Sequence, residues 1–263
     1  MKLARLNIKQ IIVASGWMAA AALMFLAWSS AVSSNEGKMV EDVQYHLAHL
    51  SDGNDLITVE EMKQKILSAY EIDFRDVQVG NLDLQNLEEI LRAEAFIVDA
   101  QAYVDANAVL HIDIAQRTPI MRVMDIQGRN YYLDSEGIKL PLSKHFTARV
   151  PVVTGYAASY ASGLDTVQNN LGAAFRIVRD ARTDEFMHAW LDVVNIHNSG
   201  EIILLGNVGR FKVLFGDDEE RKEKIEKLKT FFKEGLKITG WRDLESINVK
   251  YNKQVVTKKH TKA

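Results

Sequence analysis

The stretch Val109-Leu-His-Ile-Asp-Ile-Ala-Gln-Arg117, followed by Thr118-Pro119, decides how the rest of the chain is interpreted. Leu110, Ile112 and Ile114 stand at alternate positions, so a strand would place them on one buried face. Pro119 has no backbone N–H to donate to a ladder, so it marks a strand edge or the end of one sheet and the start of the next. The stretch therefore predicts that two small domains meet at this junction.

Upstream of the junction, the sequence predicts a strand, two helices and two further strands. Val40–Leu50 alternates apolar with polar residues, which is the period of a half-buried strand. Thr58-Val-Glu-Glu61 has the spacing of a capping box, and Asp83 is a second helix cap. Ile97–Asp105 and the stretch quoted above then return as strands. This order is sufficient for two helices on one face of a three-stranded sheet.

Downstream of Pro119, the pattern shifts towards β structure interrupted by two helices. Turn residues in Leu133-Asp-Ser-Glu-Gly-Ile138 and Asn198-Ser-Gly200 predict two hairpins. One helix is predicted from an Asp165 cap, and another from about Asp217 to Lys233, where acidic residues come first and lysines last. The predicted fold class is α+β in both domains.

The carboxy-terminal stretch predicts a final strand in which Ile247, Val249 and Tyr251 share a face. Tyr251 is then either a partner contact or a core aromatic of that strand. A lysine-rich tail without acidic residues follows. The tail would either touch an acidic membrane surface or partner, or remain a solvated and disordered end.

The amino terminus predicts a membrane anchor. The range Ile11–Val32 has no charged side chain, and as a helix it would reach about 33 Å, roughly the thickness of the hydrocarbon core. Lys2, Arg5 and Lys9 precede it, so the basic flank should stay cytoplasmic and the remainder should cross the membrane. A cleaved signal peptide with a site at Ser29-Ser30-Ala31 is the alternative, although the apolar region is longer than signal peptides usually have.

Composition excludes several classes of function. Apolar residues make up 47% of the chain and charged residues 25%, as in ordinary globular proteins. The net charge of −3 provides no global field for nucleic acid. The chain has no cysteine, which rules out disulfides, thiolate catalysis and cysteine-based zinc sites.

Four stretches together suggest a family, through their order behind an amino-terminal anchor. They are Ile112-Asp-Ile-Ala-Gln-Arg-Thr-Pro119, Tyr132-Leu-Asp-Ser-Glu-Gly137, Val150-Pro-Val-Val-Thr-Gly155 and Ile247-Asn-Val-Lys-Tyr-Asn-Lys-Gln-Val-Val256. With these stretches, nearly the whole chain resembles the FtsQ/DivIB family of bacterial cell-division proteins. The implied organisation is a cytoplasmic stub (1–10), a single transmembrane helix (11–32), a POTRA domain of β-α-α-β-β order (38–117), a mixed α/β "β domain" (118–256) and a basic tail (257–263).

The resemblance implies a scaffold of the divisome without catalytic residues, metal or cofactor. Such proteins hold the bitopic partners FtsB and FtsL, contact other divisome proteins through the POTRA domain, and help recruit and regulate septal peptidoglycan synthesis. They lie in the inner membrane at the division septum, with the bulk of the chain periplasmic, and bind neither nucleic acid nor a small-molecule substrate.

Partner binding in this family is expected on the strand Ile247–Val256. An open strand edge offers unpaired N–H and C=O groups to an incoming strand. The residues expected to contact the partner are Val249, Lys250, Tyr251, Asn252, Gln254 and Val255.

The chain departs from the family pattern at three points. It has Gln116-Arg117 where the family often has Glu-Arg, and Met121-Arg122 where the family often has Val-Ala. Its cytoplasmic stub is also very short. These departures affect details of contacts and not the expected architecture.

Two local patterns have simpler interpretations than a functional site. His46 and His49 are three residues apart, but in a strand this spacing points them to opposite faces and not to a shared metal. Gly206-Asn-Val-Gly209 lacks the lysine and the strand–loop–helix context of a phosphate loop, so it is interpreted as a turn.

Two other functions remain as alternatives. A POTRA-containing envelope protein could chaperone secreted or outer-membrane polypeptides by β-addition. An anchored periplasmic enzyme would need a pocket with convergent polar groups, which the sequence does not reveal.

Overall fold

The computed structural model describes residues 16–25, 36–240 and 242–260. The chain divides into two units. The first comprises Met1–His49 with Thr58–Ala115, and the second comprises Leu50–Ile57 with Gln116–Ala263. The predicted α+β class is confirmed, since helices and sheets occur in each unit.

The first unit follows the predicted strand–helix–helix–strand–strand order. Its elements are β1 (Asp42–Ala48), α1 (Val59–Tyr70), α2 (Leu84–Arg92), β2 (Ile97–Val104) and β3 (Val109–Gln116). These strands form a small sheet in the order β1-β3-β2, with β1 parallel to β3. Short 3₁₀ turns at Phe74–Asp76 and Val79–Asn81 connect the two helices.

The predicted helix caps of this unit are confirmed. Thr58 Oγ1 accepts a hydrogen bond from Glu61 N at 3.3 Å, and Asp83 Oδ1 accepts one from Asn86 N at 3.0 Å. Met62, Ile66, Leu87 and Leu91 are buried on the inner faces of α1 and α2.

The second unit contains a large sheet. Its strands are β4 (Pro119–Asp125), β5 (Asn130–Asp134), β6 (Lys139–Leu140), β7 (Val152–Gly155), β8 (Leu191–Ile196), β9 (Ile202–Gly206), β10 (Lys212–Gly216), β11 (Leu244–Asn248) and β12 (Val256–Lys259). They lie in the order β12-β11-β10-β9-β8-β7-β4-β5-β6. The helices of the unit are α3 (Asn170–Arg182), α4 (Glu185–Trp190), α5 (Arg221–Thr230) and α6 (Leu236–Thr239), with a π-helical turn at Phe231–Gly235 between the last two.

The stretch at the junction behaves as its pattern predicts. Leu110, Ile112 and Ile114 are buried on one face of β3. Pro119 is the first residue of β4, so the chain leaves the small sheet and enters the large one across this proline.

The side chain of Gln116 joins the loop Leu50–Ile57 to the start of the second unit. Its Oε1 accepts from Leu56 N at 2.7 Å, and its Nε2 donates to Asp55 Oδ1 at 2.7 Å. A glutamate here would set a second carboxylate against Asp55, which gives a physical reason for glutamine at this position. Nothing in the sequence pattern indicated that Leu50–Ile57 packs with the second unit.

A buried arginine organises the inner helices of the second unit. Arg176 Nη1 donates to the carbonyl oxygens of Leu164, Asp165 and Val167, and its Nε donates to Asp218 Oδ2 at 2.6 Å. The guanidinium therefore ties the approach to α3 to the segment that precedes α5. Arginine suits this position because its planar donors reach several acceptors at once.

Two predicted helix starts are wrong. The helix expected from an Asp165 cap begins at Asn170, where Asn169 Oδ1 accepts from Gly172 N at 2.8 Å, and Asp165 instead pairs with Arg179. The helix expected from Asp217 begins at Arg221. Both acidic residues belong to the preceding loops, where Asp165 pairs with Arg179 and Asp217 pairs with Lys224.

The predicted membrane helix over 11–32 lies largely outside the described residues. Residues 16–25 are helical. Within the described ranges, no helix combines the length and the apolar character needed to cross a bilayer.

Replacing Gln116 by glutamate should lower the free energy of unfolding by about 2 kcal/mol at neutral pH, because two carboxylates would share a partly buried site. Desolvation and Asp55 would raise the folded-state pKa of the new carboxyl above its unfolded value. The deficit should therefore shrink as pH falls through that raised pKa, where a protonated side chain can again donate to Asp55. Urea unfolding over a pH series measures both effects.

Gln127→Glu, at an exposed turn position, is the matched control and should change stability little. An equal deficit in both variants would contradict the role given to Asp55.

Candidate functional site

The carboxy-terminal stretch forms a hairpin and not the single strand predicted over Ile247–Val256. β11 ends at Asn248, and the chain turns through Val249–Val255, here called the carboxy-terminal turn. It then returns as β12, which includes residues 257–259 of the lysine-rich tail, for which a disordered end was one of two expectations. A positive φ of 57° at Lys253 reverses the chain direction.

β11 is an interior strand. On one side it pairs in parallel with β10, with Val213 opposite Ile247. On the other side it pairs antiparallel with β12, with Ile247 opposite Thr257. Since both of its sides are paired, β11 cannot accept a strand from a partner. The expectation of an open edge along the strand Ile247–Val256 is therefore wrong for its first part, Ile247–Asn248.

β12 is the open edge of the large sheet. Within the described residues, neither a further strand nor a side chain forms a hydrogen bond with the outer side of its backbone. The opposite edge, β6, has only the two residues Lys139–Leu140. The longer open edge, β12, offers main-chain donors and acceptors for β-addition.

The small sheet treats its own edge strand β2 differently. Glu88 Oε1 accepts from Ala102 N at 2.8 Å, and Arg92 Nη2 donates to Ala100 O at 2.6 Å. Side chains from α2 thus occupy main-chain groups of β2 that would otherwise be free. In contrast to β2, the edge strand β12 keeps its outer backbone groups available in the part of the chain that the structure describes.

The six residues expected to contact a partner separate into two sets on the carboxy-terminal turn. Val249 is fully buried, its N–H donates to Leu214 O at 3.2 Å, and Val255 packs against the core. The exposed set is Lys250, Tyr251, Asn252 and Gln254. Tyr251 keeps 50% of its surface exposed, so the interpretation of Tyr251 as a core aromatic is wrong.

Charged side chains from two neighbouring elements hold the carboxy-terminal turn in place. Lys227 on α5 donates from Nζ to Tyr251 O at 2.8 Å. Lys250 Nζ donates to Glu201 Oε1 at 2.7 Å, next to the β8–β9 turn. The stem of Lys250 crosses Gly216, where a Cβ would lie 2.9 Å from Lys250 Cδ and the φ of 83° also favours glycine.

The electrostatics of the hairpin follow from these lysines. The hydrogen bond from Lys250 holds the pKa of Glu201 below its usual range. The pKa of Glu245 on β11 is lowered in the same way by Lys258 of β12, whose Nζ lies 2.8 Å away. Exposed ion pairs of this kind contribute little stability, but they orient the side chains that form them. Lysines on an open edge also discourage indiscriminate strand pairing.

The histidines considered for metal binding are engaged in other contacts. On β1, His46 Nδ1 lies 3.2 Å from Asp113 Oδ1 of β3, and the ring stacks on His111 with centroids 5.8 Å apart. Within the described residues, no group of three or more histidine or acidic side chains is arranged to hold a metal ion.

Sequence reasoning missed Lys227, Glu201 and the edge residues of β12. Lys227 and Glu201 lie far from the turn in sequence, and only the folded sheet brings them to it. The hairpin did have a local signal, because the polar run Asn252-Lys253-Gln254 separates two apolar stretches and is typical of a turn.

The comparison with protein families agrees with this arrangement. Residues 118–258 match the family model described as FtsQ/DivIB, C-terminal related. A search of the curated proteins finds no match to the chain. The matched range runs from the start of β4 into β12 and covers more than half of the 263 residues. This family is a family of cell-division proteins, and it is not a catalytic family. The chain therefore belongs to the FtsQ/DivIB C-terminal-related family.

Proposed function

We propose that this protein is a non-enzymatic, membrane-anchored scaffold of the bacterial divisome. It binds the bitopic partners FtsB and FtsL and helps recruit and regulate septal peptidoglycan synthesis. The observation that carries the proposal is the open edge of β12 beside the exposed ring of Tyr251, in a chain that belongs to a cell-division family.

In this proposal the partner adds a strand to β12. Main-chain hydrogen bonds supply affinity that does not depend on side chains, and the carboxy-terminal turn supplies specificity. Tyr251 offers a broad aromatic surface of the kind that is enriched at interfaces. Lys250, Asn252 and Gln254 contribute polar contacts around it.

The remaining parts of the proposal concern the first unit and the anchor. The strand–helix–helix–strand–strand order of the first unit supports its assignment as a POTRA domain, which would contact other divisome proteins. The apolar range 11–32 would anchor the chain in the inner membrane as a single pass, with the amino terminus cytoplasmic. The bulk of the chain would then lie in the periplasm and gather at the septum.

Depletion of the protein should produce filamentous cells, and a fluorescent fusion should concentrate at midcell before constriction. Normal division after depletion, with the fusion spread evenly around the envelope, would contradict the proposal. Co-purification of outer-membrane assembly proteins in place of small coiled-coil division proteins would support the alternative function, chaperoning by β-addition.

Strand addition predicts which main-chain groups become protected. When the extracytoplasmic segment of FtsB from the same organism is added to the full-length chain, amide exchange should slow at Val256–Lys259 and stay unchanged at Lys139–Leu140. Tyr251→Glu should weaken binding about tenfold or more, because it puts a charge into an apolar contact. The matched control is Tyr103→Glu, at a tyrosine with 49% exposure on the small sheet, and it should bind normally. Protection confined to residues outside β12 would exclude this docking mode.

Lys227 should act as a positioning residue for the same site. Lys227→Met removes the donor to Tyr251 O, so the turn must be ordered during binding, and affinity should fall by about threefold to tenfold. Lys227→Arg keeps a donor and should retain affinity, while Lys222→Met, on the exposed side of α5, should have no effect. Calorimetric titration measures the affinities, and melting temperatures should be the same in all three variants. A melting-temperature loss that accounts for the whole effect of Lys227→Met would show a merely structural role.

A further inference from the structure

A second surface of the second unit has the charge and shape of a binding site. It is a cleft of about 550 Å³ lined by the loop Leu50–Asn54, the start of β4 and the segment Phe146–Pro151. Arg182 at the end of α3 and His188 on α4 also line it. The cleft begins where the parallel ladder of β4 and β7 ends, beyond the bond from Arg122 N to Pro151 O at 2.9 Å. We call it the cationic cleft.

The basic side chains of this cleft are unpaired. Arg149, Arg182 and His188 have neither a carboxylate nor a hydrogen-bond partner for their side chains anywhere in the described ranges. Elsewhere, arginines that contact a carboxylate are Arg75, Arg92, Arg117, Arg129, Arg176, Arg179 and Arg221. The one acidic residue in the lining, Asp52, accepts a hydrogen bond from Asn54 N of its own loop at 3.2 Å. The cleft therefore carries a net positive charge with no internal counterion for its arginines.

One wall of the cleft is an extended segment with free main-chain groups. Along 146–150, Phe146, Ala148 and Val150 are half-buried, whereas Thr147 and Arg149 are exposed. The backbone N–H groups of residues 147–150 donate to no described residue. An extended peptide lying along this wall would find both donors for its carbonyl oxygens and a guanidinium for a carboxylate.

The cleft also offers apolar surface. Phe146, Val150 and Pro151 of its lining are half-buried, so each keeps part of its surface exposed. A small inorganic anion would use the cations and leave this apolar surface unused. A peptide that alternates acidic and apolar side chains would use both.

We propose that the cationic cleft binds an extended acidic segment of a partner protein, with its carboxylates on Arg149 and Arg182 and an apolar side chain against Phe146 and Val150. This site is separate in sequence from the β12 edge, and it does not depend on the partner proposed for that edge. His188 adds a hydrogen-bonding side chain to the same lining.

The probe for this site is a short synthetic peptide in which glutamate alternates with valine, titrated into the full-length chain and followed by fluorescence anisotropy. The Arg149→Gln/Arg182→Gln double variant should bind it about tenfold or more weakly than the unsubstituted protein, since two charge-assisted contacts are lost. Arg210→Gln, at an exposed arginine that also has no partner in the described ranges and lies outside the cleft, should leave affinity unchanged. NMR shift changes in the unsubstituted protein should centre on residues 147–150.

Four results would overturn the proposal. Equal weakening by Arg210→Gln would mean that only overall charge matters. Equal affinity for a peptide with serine in place of valine, or competition by inorganic phosphate at the same concentration, would mean a general anion site. Shift changes centred on Val256–Lys259 would mean that the peptide adds to the edge strand instead. Retained melting temperature in the double variant would show that weaker binding does not come from unfolding.

Discussion

The large sheet depends on one constraint: a backbone group that is already hydrogen-bonded inside the sheet cannot also bind a partner. β11 is saturated by β10 on one side and β12 on the other, so the capacity for strand addition passes to β12. The same constraint operates in the small sheet, where Glu88 and Arg92 occupy the edge of β2. β2 and β12 therefore differ as edges, because side chains form hydrogen bonds with the backbone of β2 and not with the outer backbone of β12 within the described residues.

The contacts around the carboxy-terminal turn matter for geometry more than for stability. Exposed lysine pairs such as Lys250 with Glu201 contribute little free energy, but each restricts a chain that would otherwise sample many conformations. Gly216 allows the stem of Lys250 to cross the sheet closely, and Lys227 fixes the carbonyl of Tyr251. As a result, the tyrosine ring is presented outward before any partner arrives, which reduces the entropy that binding must overcome.

Stability comes from different residues. The core of the second unit is built from the inner faces of the large sheet and α3, and Arg176 ties three carbonyl oxygens and Asp218 together within it. Gln116 holds the loop Leu50–Ile57 by hydrogen bonds to Leu56 and Asp55. This loop in turn contributes to the lining of the cationic cleft. The rigid interior and the two exposed surfaces therefore use separate sets of polar side chains.

The sequence by itself determined the α+β class, the order of strands and helices in the first unit, the caps at Thr58 and Asp83, and the change of sheet at Pro119. Each of these follows from neighbouring residues, through apolar period, capping geometry or the missing N–H of proline. The stretch Ile247–Val256, which the sequence singled out for partner binding, contains Tyr251 and the first residue of the open edge strand β12. Only the tertiary structure decided that Tyr251 lies on a turn and that β12 and not β11 is the edge. It also placed Lys227 and Glu201 at the carboxy-terminal turn, and Arg149 and Arg182 in the cationic cleft. The reason is that strand pairing and charge contacts join residues distant along the chain, and a local pattern does not state which neighbour each one will meet.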